Sequence, residues 1–218
     1  MTLPANPAAD EQVLLLDDEV VALAARAGSP WPSNTPTLDP TEEDGLQAAA
    51  QRGVASLVMR SLVDLTSGDA LFEPLGSLSE VVLKGRPVFG TFTGMTDGRM
   101  VPFFGSTAVY EADGTWVMEM VTPSGAHYLM PTDLGQCMAQ AGDVMDRTAA
   151  ADPGDEPNDA FLCFVSAPPR PGATEQSVRI ARVKPGVLET GTLAEGTGFT
   201  PTETPPTDAR SALDFVIG

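Results

Sequence analysis

Apolar residues between positions 88 and 145 fall into four short runs, set apart by the turn signals Thr-Asp-Gly-Arg, Ala-Asp-Gly-Thr and Pro-Ser-Gly-Ala. Asp-Gly between apolar runs favours a tight hairpin, because both central residues of a type I′ turn need positive φ. In the run that starts at Thr115, Trp116, Met118 and Met120 fall on one face and Val117, Glu119 and Val121 on the other. That period of two is a strand signature. Pro131-Thr132-Asp133 then stops the sheet. Thr132 or Asp133 is placed to cap a helix whose Leu134, Met138, Ala141 and Met145 share one side. The prediction for this stretch is a four-stranded antiparallel meander closed by a helix.

Upstream, Val13 to Leu16 is a short apolar run, an edge strand or an entry segment. Asp17 and Asp18 offer a cap and favourable charge at a helix start. The helix they open places Val20, Leu23, Ala24 and Ala27 together and stops at Gly28. A proline-rich connection comes next, in which Trp31 reads as a plug over the core. A second helix starts at Thr41 with acids in its first turn. It carries an apolar stripe of Leu46, Ala49, Ala50, Val54, Leu57, Val58 and Leu62. Gly53 interrupts it at a cost of about 1 kcal/mol, so it reads as one kinked helix or two. A small hairpin-like wing then precedes residues 75–84, a third helix or a first strand. Two helices and a wing give the outline of a winged helix.

Downstream, residues 147–159 are small, polar and acidic and read as a linker. The runs FLCFVSA, SVRIARV and VLETGTL predict three further strands. Pro206-Thr207-Asp208 then repeats the earlier Pro-Thr-Asp before a last apolar-faced helix. This echo suggests a pseudo-repeat of a strand block closed by a capped helix. The predicted class is α+β: an antiparallel β-meander packed with helices behind an N-terminal helical, winged-helix-like segment. The predicted organisation is a tail over 1–12, helices and sheet over 13–146, the linker, and a second strand block with a C-terminal helix over 160–218. That second block either completes the first domain or stands as its own.

Composition narrows the functions. The 218 residues are 42% hydrophobic, enough for a core, and include 20 Pro and 21 Gly, hence many turns. A net charge of −18 opposes phosphate backbones and anionic membranes, so neither nucleic acid nor membrane insertion is expected. Arg52 and Arg60 are too few cations on the second helix for reading DNA. The N-terminus lacks a basic segment followed by an apolar run, and a cytoplasmic location is the default reading. Cys137 and Cys163 set no disulfide framework and read as buried thiols. No cofactor or metal is expected: one histidine and two distant cysteines make no spaced ligand set. His127 has no nucleophile motif near it and reads as a surface or half-buried strand histidine. Acidic pairs such as Asp17/Asp18 sit where helix capping explains them. Seven methionines between Met95 and Met145 are either plain core or an adaptable binding face.

The order of LLLDDEVVALAARAG, a proline-bearing loop, QAAAQRGVASLVMRSLVD, an antiparallel sheet and an apolar helix resembles the EspG family. These are cytosolic chaperones of the type VII secretion systems of actinobacteria. The resemblance runs from about Leu14 to Met145, with the Pro-Thr-Asp echo as a partial second copy. It implies a non-enzymatic binding protein that shields an apolar helical tip of a client. Phe103, Phe104, Tyr110 and Trp116, read as exposed on the meander, are the candidate contacts. The alternative reading is an acidic immunity protein that neutralises a basic toxin.

Overall fold

The computed structural model describes residues 12–64, 66, 70–93, 95–96, 99–100, 106–151, 161–166, 177–194 and 198–218. The elements are β1 (Val13–Leu16), α1 (Asp17–Ala27), α2 (Glu43–Met59), β2 (Val63–Asp64), β3 (Ala70–Leu71), α3 (Leu75–Lys84) and β4 (Arg86–Thr93). Next come β5 (Met95–Thr96), β6 (Arg99–Met100), β7 (Ser106–Ala112), β8 (Thr115–Val121), β9 (Ala126–Thr132) and α4 (Leu134–Ala150). The chain closes with β10 (Leu162–Ser166), β11 (Ser177–Lys184), β12 (Val187–Ala194), β13 (Gly198–Pro201) and α5 (Ala209–Ile217). The fold is α+β, with antiparallel pairing in each strand pair whose register is defined. Backbone contacts divide it into two compact units, Met1–Arg86 with Val109–Asp133 and Pro87–Ala108 with Leu134–Gly218.

In the first unit the strand order is β1-β9-β8-β7. The Ala-Asp-Gly-Thr turn between β7 and β8 has the geometry that its residues demand, with φ of 49° at Asp113 and 82° at Gly114. α1 buries Val20, Leu23 and Ala24, but leaves Ala27 exposed. α2 is one continuous helix that starts at Glu43, with Glu42 rather than Thr41 at its cap position. Gly53 lies at its crossing with α1: a Cβ there would stand 1.9 Å from the Asp18 carbonyl oxygen and 2.9 Å from Ala22 Cβ. The glycine therefore marks close helix approach, not a break. β2 pairs with β3, Val63 opposite Leu71, and residues 75–84 are helical.

In the second unit the order is β4-β10-β11-β12-β13. The first residues of β7 lie beside β4, where the Thr107 amide donates to Thr91 Oγ1 at 3.1 Å. α4 runs to Ala150 and buries Cys137, Met138, Ala141 and Met145. It packs on α5 and β11. Two expectations therefore change. The helix occupies the start of the expected linker, and the boundary at 146/147 does not separate it from the later strands. The two helices that follow Pro-Thr-Asp, α4 and α5, pack on one another and both contact β11. The apolar stripe of α4 was legible, but a stripe does not say which partner covers it. Asp208 caps α5, accepting from the Ser211 amide at 2.7 Å. On β11, Arg182 lies over the rings of Phe199 and Phe161 and pairs with Glu189 at 2.6 Å.

Candidate functional site

The first unit holds a buried polar cluster built by strand periodicity. In β8 the inward face is Val117, Glu119 and Val121, with Glu119 fully buried. In β9 the inward positions include His127 and Leu129, again fully buried. Register sets Val121 opposite His127 and Glu119 opposite Leu129, so Glu119 is the diagonal neighbour of His127. On the other side, β1 sets Leu15 opposite His127, and the Asp17 amide donates to the Gly125 carbonyl at 3.0 Å. Asp17, the residue that follows β1, thus lies diagonally beside His127. One histidine receives a carboxylate from β8 on one side and from the start of α1, just after β1, on the other.

The distances are short. His127 Nε2 lies 2.7 Å from Asp17 Oδ1, and Nδ1 lies 2.7 Å from Glu119 Oε1. Trp31 Nε1 donates to the same Glu119 oxygen at 2.8 Å, with its ring edge-on to the imidazole. Tyr110 donates to Glu119 Oε2 at 3.3 Å. Asp17 Oδ2 accepts from the Thr37 amide at 2.7 Å and the Thr37 hydroxyl at 2.5 Å. Gly125 completes the cradle. Its φ of 76° suits glycine, and a Cβ there would stand 2.6 Å from the Asp17 carboxylate.

Burial alone would lower the His127 pKa, but its hydrogen bonds to Asp17 and Glu119 outweigh this and raise it. For Asp17, burial raises the pKa, yet the bonds from His127 and Thr37 bring it below the ordinary value. Burial, then the Glu119 charge, pushes the Tyr110 phenol up.

The two acids that follow Asp17 are also engaged. Asp18 forms a bidentate pair with Arg52 at 2.7 and 2.8 Å. The fully buried Glu19 accepts from the Leu16 amide, Ser56 Oγ and Arg60 Nη1, the last at 2.6 and 2.8 Å. Arg60 Nη2 reaches the Leu14 carbonyl at 2.7 Å. Capping accounts for one of these contacts, the Leu16 amide on Glu19. Asp17 ties α1 to β9 and the following connection, and Asp18 and Glu19 tie it to α2.

No family model and no curated protein sequence matches this chain.

The cluster has no open face: His127 and Glu119 are 0% exposed and Asp17 2%. The two imidazole nitrogens point at different carboxylates, so the three side chains do not converge on one point. Among the described residues no group of His, Cys, Asp and Glu is arranged to hold a metal ion. The arrangement joins β1, α1, the Trp31–Thr37 connection, β7, β8 and β9.

His127 is not the surface or half-buried residue that the sequence predicts. The alternation of β8 already put Glu119 beside Val117 and Val121. What the sequence lacked was the pairing of β1 with β9. Among the predicted contacts, Phe103 and Phe104 lie outside the described residues. Tyr110 is 2% exposed and faces Glu119, so the exposure expected of it is not found, and Trp116 is half-buried. A buried Tyr on a sheet strand with a carboxylate to bond is a common core arrangement. The large apolar side chains left open among the described residues are Leu14, Leu16, Val54, Met59 and Phe72. They were missed because a short apolar run and a helix stripe both read as core.

Proposed function

We propose that this chain is a non-enzymatic, cytoplasmic binding protein that shields an apolar helical tip of a client protein, as its resemblance to the EspG chaperones of type VII secretion implies. One contrast within the first unit carries this reading. Asp17, Glu19, Glu119 and His127 are turned inward and hold the unit together. Leu14, Leu16, Met59 and Phe72, by contrast, stand 39%, 47%, 81% and 48% exposed. Scattered exposed apolar residues are ordinary, but the segments that carry these are joined by hydrogen bonds. Arg60, next to Met59, bonds the Leu14 carbonyl, and the Phe72 amide donates to the Leu62 carbonyl at 3.1 Å. A shallow groove opens between α1, β3 and α3, next in sequence to Phe72; Leu23, Ala27, Leu71 and Leu83 line it together with Arg26, Glu80 and Lys84. Client side chains that enter this face gain roughly 1.5–3 kcal/mol each on burial.

Co-expression with helical proteins secreted by a type VII system tests the reading. A stoichiometric complex is expected on size exclusion, and Leu14→Glu with Met59→Glu should weaken it at least about tenfold with an unchanged circular dichroism spectrum. Failure to bind any such protein refutes it. Stoichiometric capture of a basic toxin instead would establish the immunity reading, which the net charge of −18 favours.

A further inference from the structure

The geometry points to His127 as a buried imidazolium that latches the β1–α1 corner to the sheet at neutral pH and releases it in alkali. Both ring nitrogens lie 2.7 Å from carboxylate oxygens, and all three side chains are at most 2% exposed. An ionised carboxylate only accepts hydrogen bonds, and a neutral imidazole has one N–H to donate. Two contacts of this length therefore need protons on both nitrogens. With the imidazolium in place the trio carries one net negative charge. Without the proton it carries two, and a ring lone pair faces a carboxylate oxygen in a place that water does not reach.

The groups facing His127 divide by element. Asp17 comes from α1, Glu119 from β8, Tyr110 through Glu119 from β7, and Trp31 and Thr37 from the connection between α1 and α2. Beyond them, the charges of Asp18 and Glu19 are met by Arg52 and Arg60 of α2. Among the described residues, no cation other than the imidazolium bonds Asp17 or Glu119.

Glu119 sits on a strand between β7 and β9, and keeps donors from Trp31 and Tyr110. Asp17 keeps its donors from Thr37, but those belong to a connecting loop, and it follows β1, which among the described residues pairs with β9 alone. On proton loss, the Asp17 side is the one that opens. A folded-state pKa raised above the ordinary 6.5 stabilises the latch fully below that value, and the gain is lost as pH rises through the folded pKa. The lowered Asp17 pKa acts at the other end, where its contribution is lost as pH falls through the folded value. The latch is closed between these limits. Its alkaline release would loosen the strand that displays Leu14 and Leu16.

The chain has a single histidine, so nitrogen-15 spectra of the untagged protein report this ring alone. Imidazolium shifts at both nitrogens at pH 7 are expected, with a midpoint above 6.5. As that midpoint is passed, amide exchange at Val13–Leu16, corrected for base catalysis, should rise ahead of exchange in β8. Asp17→Asn should move the midpoint down, because it removes one of the two partner charges. A single protonated nitrogen at pH 7, or a midpoint at or below 6.5, overturns the latch. So does exchange that rises equally in β1 and β8. If Asp17→Asn does not fold, the wild-type spectrum decides alone.

Discussion

Gly53→Ala sets two effects of opposite sign against each other. Alanine is the better helix former, and in the middle of α2 the change is worth about 1 kcal/mol in its favour. The new methyl, however, would stand 1.9 Å from the Asp18 carbonyl oxygen and 2.5 Å from its carbon, about 1.5 Å short of ordinary contact. The obstacle is backbone, so no rotamer change relieves it, and α1 must move away from α2. Overpacking of this kind costs about 1–3 kcal/mol, and a rigid neighbour places it at the upper end. The net expectation is a loss of about 2 kcal/mol, or a melting temperature lower by about 4–8 °C. Asp18 lies between Asp17 and Glu19, so the displacement also strains the contacts to His127 and Arg60. Gly45→Ala is the control. It lies in the same helix, where a Cβ meets Glu42 at 3.4 Å and no backbone from another element. That variant should match or exceed the wild type by up to about 1 kcal/mol. Thermal melts of both variants decide the matter. If Gly53→Ala is as stable as the parent, the two helices do not cross at this residue.

Arg60→Met should cost about 2 kcal/mol in urea titration, because it leaves the fully buried Glu19 carboxylate with the Leu16 amide and Ser56 alone. The figure is below that of a fully buried pair because the Arg60 side chain is 38% exposed. An unchanged midpoint would show that the pair contributes nothing to holding α2 on β1. Cys163 is 0% exposed, and burial pushes its thiol up to about 12. Neither it nor the buried Cys137 should react with a disulfide reagent in native buffer at pH 8, and both should react in urea. Rapid labelling of the native protein would contradict their packing.

Much of the architecture was readable from residue order. Asp-Gly announced the β7–β8 hairpin, since few other pairs tolerate two successive positive φ values, and the period of two in residues 115–121 placed Glu119 with the valines. The stripes of α1 and α4 and the three strands of residues 162–194 follow from the same local rules. Local rules act through the chain's own dihedrals and the spacing of its side chains, so sequence carries them. Pairing over long separations is different. The Asp17–His127 contact joins residues 110 positions apart, and Trp31–Glu119 joins residues 88 apart. Nothing near Asp17 marks it as anything but a helix-start acid, and nothing near His127 distinguishes a core histidine from a surface one. Only the laying of β1 against β9 puts carboxylates on both sides of the ring. The same holds for Gly53, which reads as a flaw in a helix until α1 is packed across it, and for α4, whose apolar stripe would serve equally well on either strand block. Sequence determined most of the segments that would be helix or strand and the apolar stripes of α1, α4 and β8. Tertiary structure decided which inward faces meet, because burial free energy depends on what covers a surface and not on where that surface lies along the chain.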